Sequence, residues 1–291
     1  MKPASFAYHR VGSLDQALAL LDQHGDEARL LAGGQSLVPM LNLRLARFAH
    51  LVDINPLRDL DYVRETDGGI EIGALTRHVT LERSELVRRR CPILGAAARN
   101  IGHVAIRERG TLGGSLALAD PAAELPLIAT LLDAELEIAS STQRRRVRAR
   151  EFFVAVLTTA LEPNEALVCA RFPAVAAGEG FGLQALSRRA GDFAIVNAAA
   201  TARLDGGRIA KLRMALGGVD ATPVALASLE RAQAGATPDA AWAEAMAEAA
   251  VREVEPHDDP HASADYRRDL VRVLLARALS DALGDALGGA R

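Results

Sequence analysis

Apolar positions change their period several times along this chain, and each change marks an element. Leu14, Ala17, Leu18 and Leu21 recur at helical spacing behind Ser13. Gln16, three residues after Ser13, completes a capping box that opens a helix, and Gly25 closes it. Leu30 and Leu31 then form a short buried strand. Residues 50–54 (HLVDI) and 70–74 (IEIGA) read as further strands, the second behind the turn Asp67-Gly68-Gly69. Residues 81–101 are mostly helical, with an interruption at Cys91-Pro92. Pro121 suits the first position of a helix that reaches Leu132. Residues 134–139 and 145–150 pair as a hairpin around 140–143.

Residues 172–180 (FPAVAAGEG) carry a proline, small residues and two glycines, and read as a linker. Beyond it, 182–187, 195–204 and 208–216 have the pattern of antiparallel strands, the last two joined by Asp205-Gly206-Gly207. Alanine-rich helices follow over 225–234, 238–251 and 264–283. Strands followed by helices indicate a separate small α+β domain, so the expected division is 1–175 and 178–287. There is no internal repeat.

Composition narrows the function. At 291 residues and 49% hydrophobic, the chain can bury a full core in two domains. Its net charge of −3 argues against a nucleic-acid or anionic-membrane surface. The basic runs Arg88-Arg89-Arg90 and Arg144-Arg145-Arg146 read as solvated helix and hairpin faces. Cys91 and Cys169 stand far apart with no CxxC partner, which excludes a cysteine-ligated iron–sulfur cluster within the chain and fits a reducing compartment. Residues 1–10 lack the apolar core of a signal peptide, and no apolar run is long enough for a bilayer. A cytoplasmic location is expected, with a peripheral position at the inner face of the membrane as its variant.

Two glycine pairs carry the candidate chemistry. One is Ala32-Gly33-Gly34-Gln35-Ser36, leaving the strand at Leu30 and Leu31; the other is Thr111-Leu112-Gly113-Gly114-Ser115. Adjacent glycines let backbone N–H groups approach a bulky anion that a Cβ would hold off, and Ser36, Thr111 and Ser115 add hydroxyls. Each reads as a loop, and two such loops brought together would hold a diphosphate. Neither is a GxGxxG nor a GxxxxGK element. Gly68-Gly69, Gly206-Gly207 and Gly217-Gly218 are simple turns by the same test.

The stretch 32–55 (AGGQSLVPMLNLRLARFAHLVDIN), together with 106–115 (IRERGTLGGS) and 120–126 (DPAAELP), closely resembles the FAD-binding medium subunits of molybdenum hydroxylases. This is the family of aerobic carbon monoxide dehydrogenase and, more distantly, of the xanthine dehydrogenase flavin domain. Residues 187–194 (SRRAGDFA) and 261–267 (HASADYR) extend the resemblance over nearly the whole chain. It implies a two-lobed, vanillyl-alcohol-oxidase-like (PCMH-type) FAD-binding domain, followed by a small C-terminal α+β domain of antiparallel sheet and helices. Carried over by position, Ala32, Gly33, Gly34, Gln35 and Ser36 would wrap one side of the FAD diphosphate, with Leu37 continuing along the cofactor. Thr111, Leu112, Gly113, Gly114 and Ser115 would wrap the other side. Glu124 falls near the adenosine half, and Asp192 and Phe193 in the loop that approaches the isoalloxazine ring. The chain departs from many relatives at Gly102-His103-Val104-Ala105-Ile106, and it lacks the cysteine-rich insertion of the benzoyl-CoA type.

The resemblance further implies non-covalent FAD and no catalytic acid or base in this chain. Molybdenum–pterin and [2Fe–2S] groups would sit in a large and a small partner subunit, within a dimer of heterotrimers. The alternatives are a free-standing FAD-dependent oxidoreductase of the same superfamily, or a scaffold subunit that has lost its cofactor. The remaining candidates read as structural. His257 and His261 lie between prolines, in a loop. His9, His24, His50 and His78 are scattered, without ligand spacing, so no metal site is expected. Arg107 and Arg109 serve either a phosphate or a structural ion pair. Trp242 and Cys91 read as packing residues, and Tyr266 as a core or interface residue.

Overall fold

The computed structural model of the chain describes residues 2–288. The first lobe consists of strand β1 (Ala7–Arg10), helix α1 (Leu14–His24), strand β2 (Ala28–Leu31), helix α2 (Leu37–Asn42) and strand β3 (His50–Asp53). Its strands pair in parallel in the order β1-β3-β2. Ser13 caps α1 by accepting from the Gln16 amide, while the Gln16 side chain accepts from the amide of Gly12, one residue upstream of the usual partner. Ala17, Leu18 and Leu21 bury the inner face of α1 against Ala28 and Val52. β1 escapes a pattern reading because its side chains are mostly exposed; the backbone ladder to β3 holds it.

The second lobe begins with β4 (Val63–Thr66) and β5 (Gly69–Gly73). It continues with α3 (His78–Arg83), α4 (Glu85–Arg90), α5 (Pro92–Asn100), α6 (Val104–Arg107), α7 (Leu112–Leu118) and α8 (Glu124–Leu132). The hairpin β6 (Glu135–Ala139) and β7 (Arg144–Arg148) follows, then α9 (Ala149–Phe152), the small ribbon β8 (Phe153–Ala155) and β9 (Thr158–Thr159), and β10 (Ala166–Pro173). The main sheet is antiparallel, in the order β4-β5-β10-β6-β7. Ser84 breaks the helical run expected before Cys91 by capping α4 at the Val87 amide.

α8 is buried along its whole length and forms the centre of the core. It starts at Glu124, three residues later than Pro121 had indicated. Asp120 accepts from the Ala122 amide in a local turn. The carbonyls of Pro121 and Ala122 are taken by Gly218 and Asn197 from further along the chain. The expected hairpin arginines also divide. Arg144 and Arg146 pair with Glu137 and Glu135 across the ladder, but Arg145 points the other way into a bidentate pair with buried Glu165, at 2.6 and 2.7 Å. Arg171 of β10 joins Glu71, Glu135 and Glu137 on one sheet face, so three strands share one guanidinium.

The C-terminal part is an antiparallel meander of β11 (Glu179–Leu186), β12 (Val196–Asp205), β13 (Arg208–Gly217) and β14 (Val224–Ala225). Helices α10 (Ala227–Ala232), α11 (Ala240–Ala250) and α12 (Ala264–Gly288) complete it. Strand pairing claims both ends of the expected linker, leaving only residues 174–178 between β10 and β11. α12 lies across β11 and β12, and no Cβ fits at the crossing. One added at Gly182 would stand 2.0 Å from the Ala278 carbonyl oxygen, and one at Gly180 2.2 Å from that of Ala282. Among the described residues no helix is long and apolar enough to cross a membrane.

Gly182→Ala is expected to push α12 off the sheet and destabilise the chain by roughly 2–4 kcal/mol in urea unfolding. Gly284→Ala is its control. That position lies in α12 with nothing near its missing Cβ, so alanine should stabilise by about 0.5–1 kcal/mol.

Candidate functional site

The two glycine motifs meet where the two lobes touch. A Cβ on Gly33 would lie 2.3 Å from the Arg109 carbonyl oxygen and 2.9 Å from the Gly110 Cα, so the first motif rests directly on the backbone that leads into the second. Gly34 adopts φ +70, the left-handed turn that lets the chain leave β2 and enter α2. Two side chains stitch the contact. Asn55 donates to the carbonyls of Ala32 (2.8 Å) and Leu31 (3.3 Å), and its own oxygen accepts from Arg77 at 2.7 Å. Arg77 also donates to the Arg109 carbonyl.

The motifs differ in what they offer a ligand. Among the described residues, the amides of Gly33, Gly34, Gln35, Ser36 and Leu37 have no protein acceptor, and the Ser36 hydroxyl has no partner. These successive free N–H groups form an anion nest. The second motif is not a loop. Thr111 is the N-cap of α7, and residues 112–115 form its first turn. The amides of that first turn are already committed: Leu112 to Thr76, Gly113 to Ala74, Gly114 to Thr111 Oγ1 and Ser115 to the Thr111 carbonyl. Gly113 is required by packing, since its Cβ would meet Ala74 at 2.6 Å. Gly114 is exposed, and a Cβ there would meet only the Thr111 hydroxyl, at 2.8 Å.

A cavity of about 550 Å³ runs along this junction, a size suited to a sizeable organic ligand. Its wall takes in Ala32, Gly33, Gly34, Gln35, Ser36 and Leu37 from the first motif, and Thr111, Gly113, Gly114 and Ser115 from the second. Glu124, Asp192 and Phe193 complete the expected set. Leu112 is outside the wall, with its side chain fully buried in the core. Leu37 is the first residue of α2 rather than an extension of the loop. The loop before β12 brings Asp192 and a half-exposed Phe193 to the mouth, and Gly191 (φ +89) packs on His103 there.

Two ionisable groups in the wall are shifted by burial. Glu124 is pushed up to about 7, first by desolvation and then by the nearby Asp120. His78, 5% exposed, is pushed down to about 4 by burial. Its Nε2 lies 2.9 Å from the Thr111 carbonyl, so Nε2 carries the proton and Nδ1 is left as a buried lone pair without a partner. Sequence reasoning missed His78, and no neighbouring pattern marks it. Only the bridge between Arg77 and Thr111 brings it beside the second motif. Leu157, at φ 53, and Thr159 also line the cavity from the β8–β9 ribbon, again with no local signal.

The other candidates resolve simply. Arg107 pairs with Glu82 at 2.9 Å and donates to the carbonyls of Ile101 and Gly102, so its role is structural. Residues 254–263, with His257 and His261, are free of helix, as expected. Cys91 is fully buried, its thiol pushed up to about 12 by burial. Tyr266 is exposed, which rules out the core and leaves the interface reading. His9, His24 and His50 are not scattered in space, and their nitrogens lie within 4.8 Å of one another.

Residues 4–175 match the family described as FAD binding domain in molybdopterin dehydrogenase, and residues 182–282 match the CO dehydrogenase flavoprotein C-terminal domain. The 6-hydroxypseudooxynicotine dehydrogenase complex subunit alpha of Paenarthrobacter nicotinovorans is 40% identical over 257 residues, covering 88% of this chain and 87% of that protein. The carbon monoxide dehydrogenase medium chain of Hydrogenophaga pseudoflava is 39% identical over 222 residues, covering 76% of this chain and 77% of that one. A solved structure of carbon monoxide dehydrogenase from Hydrogenophaga pseudoflava superposes with a TM-score of 0.95 at 38% identity, covering 98% of this chain and 99% of that one. Quinoline 2-oxidoreductase from Pseudomonas putida 86 gives 0.94 at 35% identity, covering 99% and 100%.

The buried Glu124 sets a pH dependence. Because its folded pKa is raised, the folded chain keeps a proton that the unfolded chain releases between about 4.5 and 7. Stability therefore falls as pH rises through that window, and the full cost, about 3 kcal/mol, persists above it. Glu124→Gln is expected to stabilise the flavin-free chain by roughly 1–3 kcal/mol at pH 8 and by little at pH 5. Urea unfolding at the two pH values checks this; an equal gain at both would contradict it.

Proposed function

The chain belongs to the FAD-binding medium subunits of the molybdenum hydroxylases, and from that premise we propose how its own residues serve the cofactor. The carrying observation is the row of unpartnered amides from Gly33 to Leu37, in residues that line a cavity whose wall also takes in Thr111, Gly114 and Ser115. A diphosphate suits this arrangement. It accepts hydrogen bonds from the nest, while the Thr111 and Ser115 hydroxyls meet it from α7 and the bare Gly114 leaves it room. FAD held there supplies exchange between one-electron and two-electron carriers.

The chain's work is to bind, orient and shield. Ala32, Gly33, Gly34, Gln35, Ser36 and Leu37 hold one flank of the diphosphate. Thr111, Gly113, Gly114 and Ser115 form the other, while Leu112, buried behind them, anchors the turn to Thr76. Glu124, mostly neutral below pH 7, serves as a hydrogen-bond donor or acceptor toward the adenosine half. Asp192 and Phe193 cover the ring end of the cavity. No side-chain acid or base turns over.

The relatives whose names call them subunits or medium chains support an assembly role. We assign this chain the electron exit of a complex in which a large subunit carries the molybdenum–pterin group and a small subunit the [2Fe–2S] clusters, arranged as a dimer of heterotrimers in the cytoplasm. Residues 1–175 are the flavin domain and 178–287 the C-terminal domain. The substrate of the complex is then chosen in the large subunit.

Purified from flavin-replete cells, the chain should carry about one FAD, read from its absorbance spectrum. Gly114→Val is expected to abolish flavin retention while leaving circular dichroism and solubility unchanged, because Gly114 is exposed and its Cβ would crowd only the Thr111 hydroxyl, at the cavity wall and not in the core. Full FAD occupancy in that variant would contradict the diphosphate assignment. Co-expression with neighbouring reading frames should yield a three-subunit complex. A monomer that oxidises a substrate unaided would instead favour a free-standing flavoenzyme.

A further inference from the structure

Three histidines far apart in sequence converge on the surface of the first lobe. His9 comes from β1, His24 from the last turn of α1 and His50 from the start of β3. The parallel register aligns Ala7 with His50, so His9, two residues further on, projects from the same sheet face. α1 crosses that face and delivers His24 from its end. The His9 Nε2 and His50 Nδ1 atoms are 2.9 Å apart. The His24 and His50 rings stack with centroids 3.6 Å apart and planes at 13°. One nitrogen from each ring lies within 4.8 Å of the others. All three side chains are partly exposed, and among the described residues the His9–His50 contact is the only hydrogen bond their ring nitrogens make.

We propose that His9, His24 and His50 form a binding site for one divalent transition-metal ion, of zinc, nickel or copper type, that clips β1, α1 and β3 together. Imidazole nitrogens reach such ions at about 2.0–2.1 Å along lone pairs in the ring plane, so a shared ion needs the three atoms to draw in by about an ångström and the stacked rings to turn toward one point. Partly exposed rings achieve this by rotating about their side-chain bonds. The ligands come from three separate elements, so the site exists only in the folded lobe and its occupation stabilises that lobe. An all-imidazole set with water completing the shell selects borderline-soft ions over magnesium and calcium. None of the three histidines lines the flavin cavity, so the clip acts on the frame around the cofactor and not on the cofactor itself.

The test uses the flavin-loaded full chain titrated with zinc chloride in a calorimeter, with magnesium chloride as the control. One zinc per chain is expected, with a raised Tm and unchanged flavin content, and no magnesium binding. His24→Ala and His50→Ala should each weaken zinc binding by roughly tenfold or more, while His261→Ala leaves it intact. Copper(II) added to the unaltered chain gives a readout independent of any variant's folding. Its electron paramagnetic resonance spectrum should carry hyperfine structure from three imidazole nitrogens. Equal zinc affinity in the unaltered chain and both variants, or a copper spectrum with fewer than three nitrogen ligands, would overturn the proposal.

Discussion

The fold of the site depends on a contact in which two backbones approach closer than any side chain permits. Gly33 lies against the carbonyl of Arg109, and everything that makes the cavity follows from that approach. It brings the nest at the end of β2 opposite the first turn of α7. It lets Arg77 and Asn55 reach the carbonyls on both sides, and it leaves a cavity of about 550 Å³ along the junction. The glycines are therefore not interchangeable. Gly33 and Gly113 are excluded from carrying a Cβ by the neighbouring Arg109–Gly110 backbone and by Ala74, Gly34 is fixed by its left-handed φ, and at exposed Gly114 the one atom a Cβ would crowd is the Thr111 hydroxyl.

The electrostatics divide by partner. Buried acids with a cation beside them are paired: Glu71 with Arg171, Arg64 and the Tyr62 hydroxyl, and Glu165, at the cavity wall, with Arg145. These acids are held below the ordinary carboxylate range, the opposing cations and hydrogen bonds outweighing burial. Inside the cavity no counter-charge accompanies Glu124 or His78, and burial drives both toward neutrality. Beside the unpartnered amides of Gly33 to Leu37, the cavity wall thus holds two groups that burial drives toward neutrality.

Much of this was legible in the sequence wherever a local rule decides the outcome. The capping box at Ser13, the β6–β7 hairpin and the three-strand meander after residue 178 follow from period and turn chemistry, and their bounds shift by only a few residues. Failures came where distant atoms decide. Pro121 does not begin α8, because partners near residues 197 and 218 claim the carbonyls that follow it. The second glycine pair is helical because Thr111 caps it and the segment after β5 pairs with it. His78 and the three clustered histidines have no one-dimensional signature, since parallel strand pairing and a helix end bring them into place.

α8 carries one more implication, and it concerns time. Its buried surface is covered partly by β12 and β13, whose Ala199 and Ala215 belong to the same core as Leu125 and Ile128. A ribosome making about 5–20 residues per second delivers those strands several seconds after α8 has emerged. For that interval a helix whose every residue is buried in the finished fold is only partly covered. The nascent flavin domain must wait for its successor or be shielded, and the order of synthesis becomes part of how the protein reaches its native state.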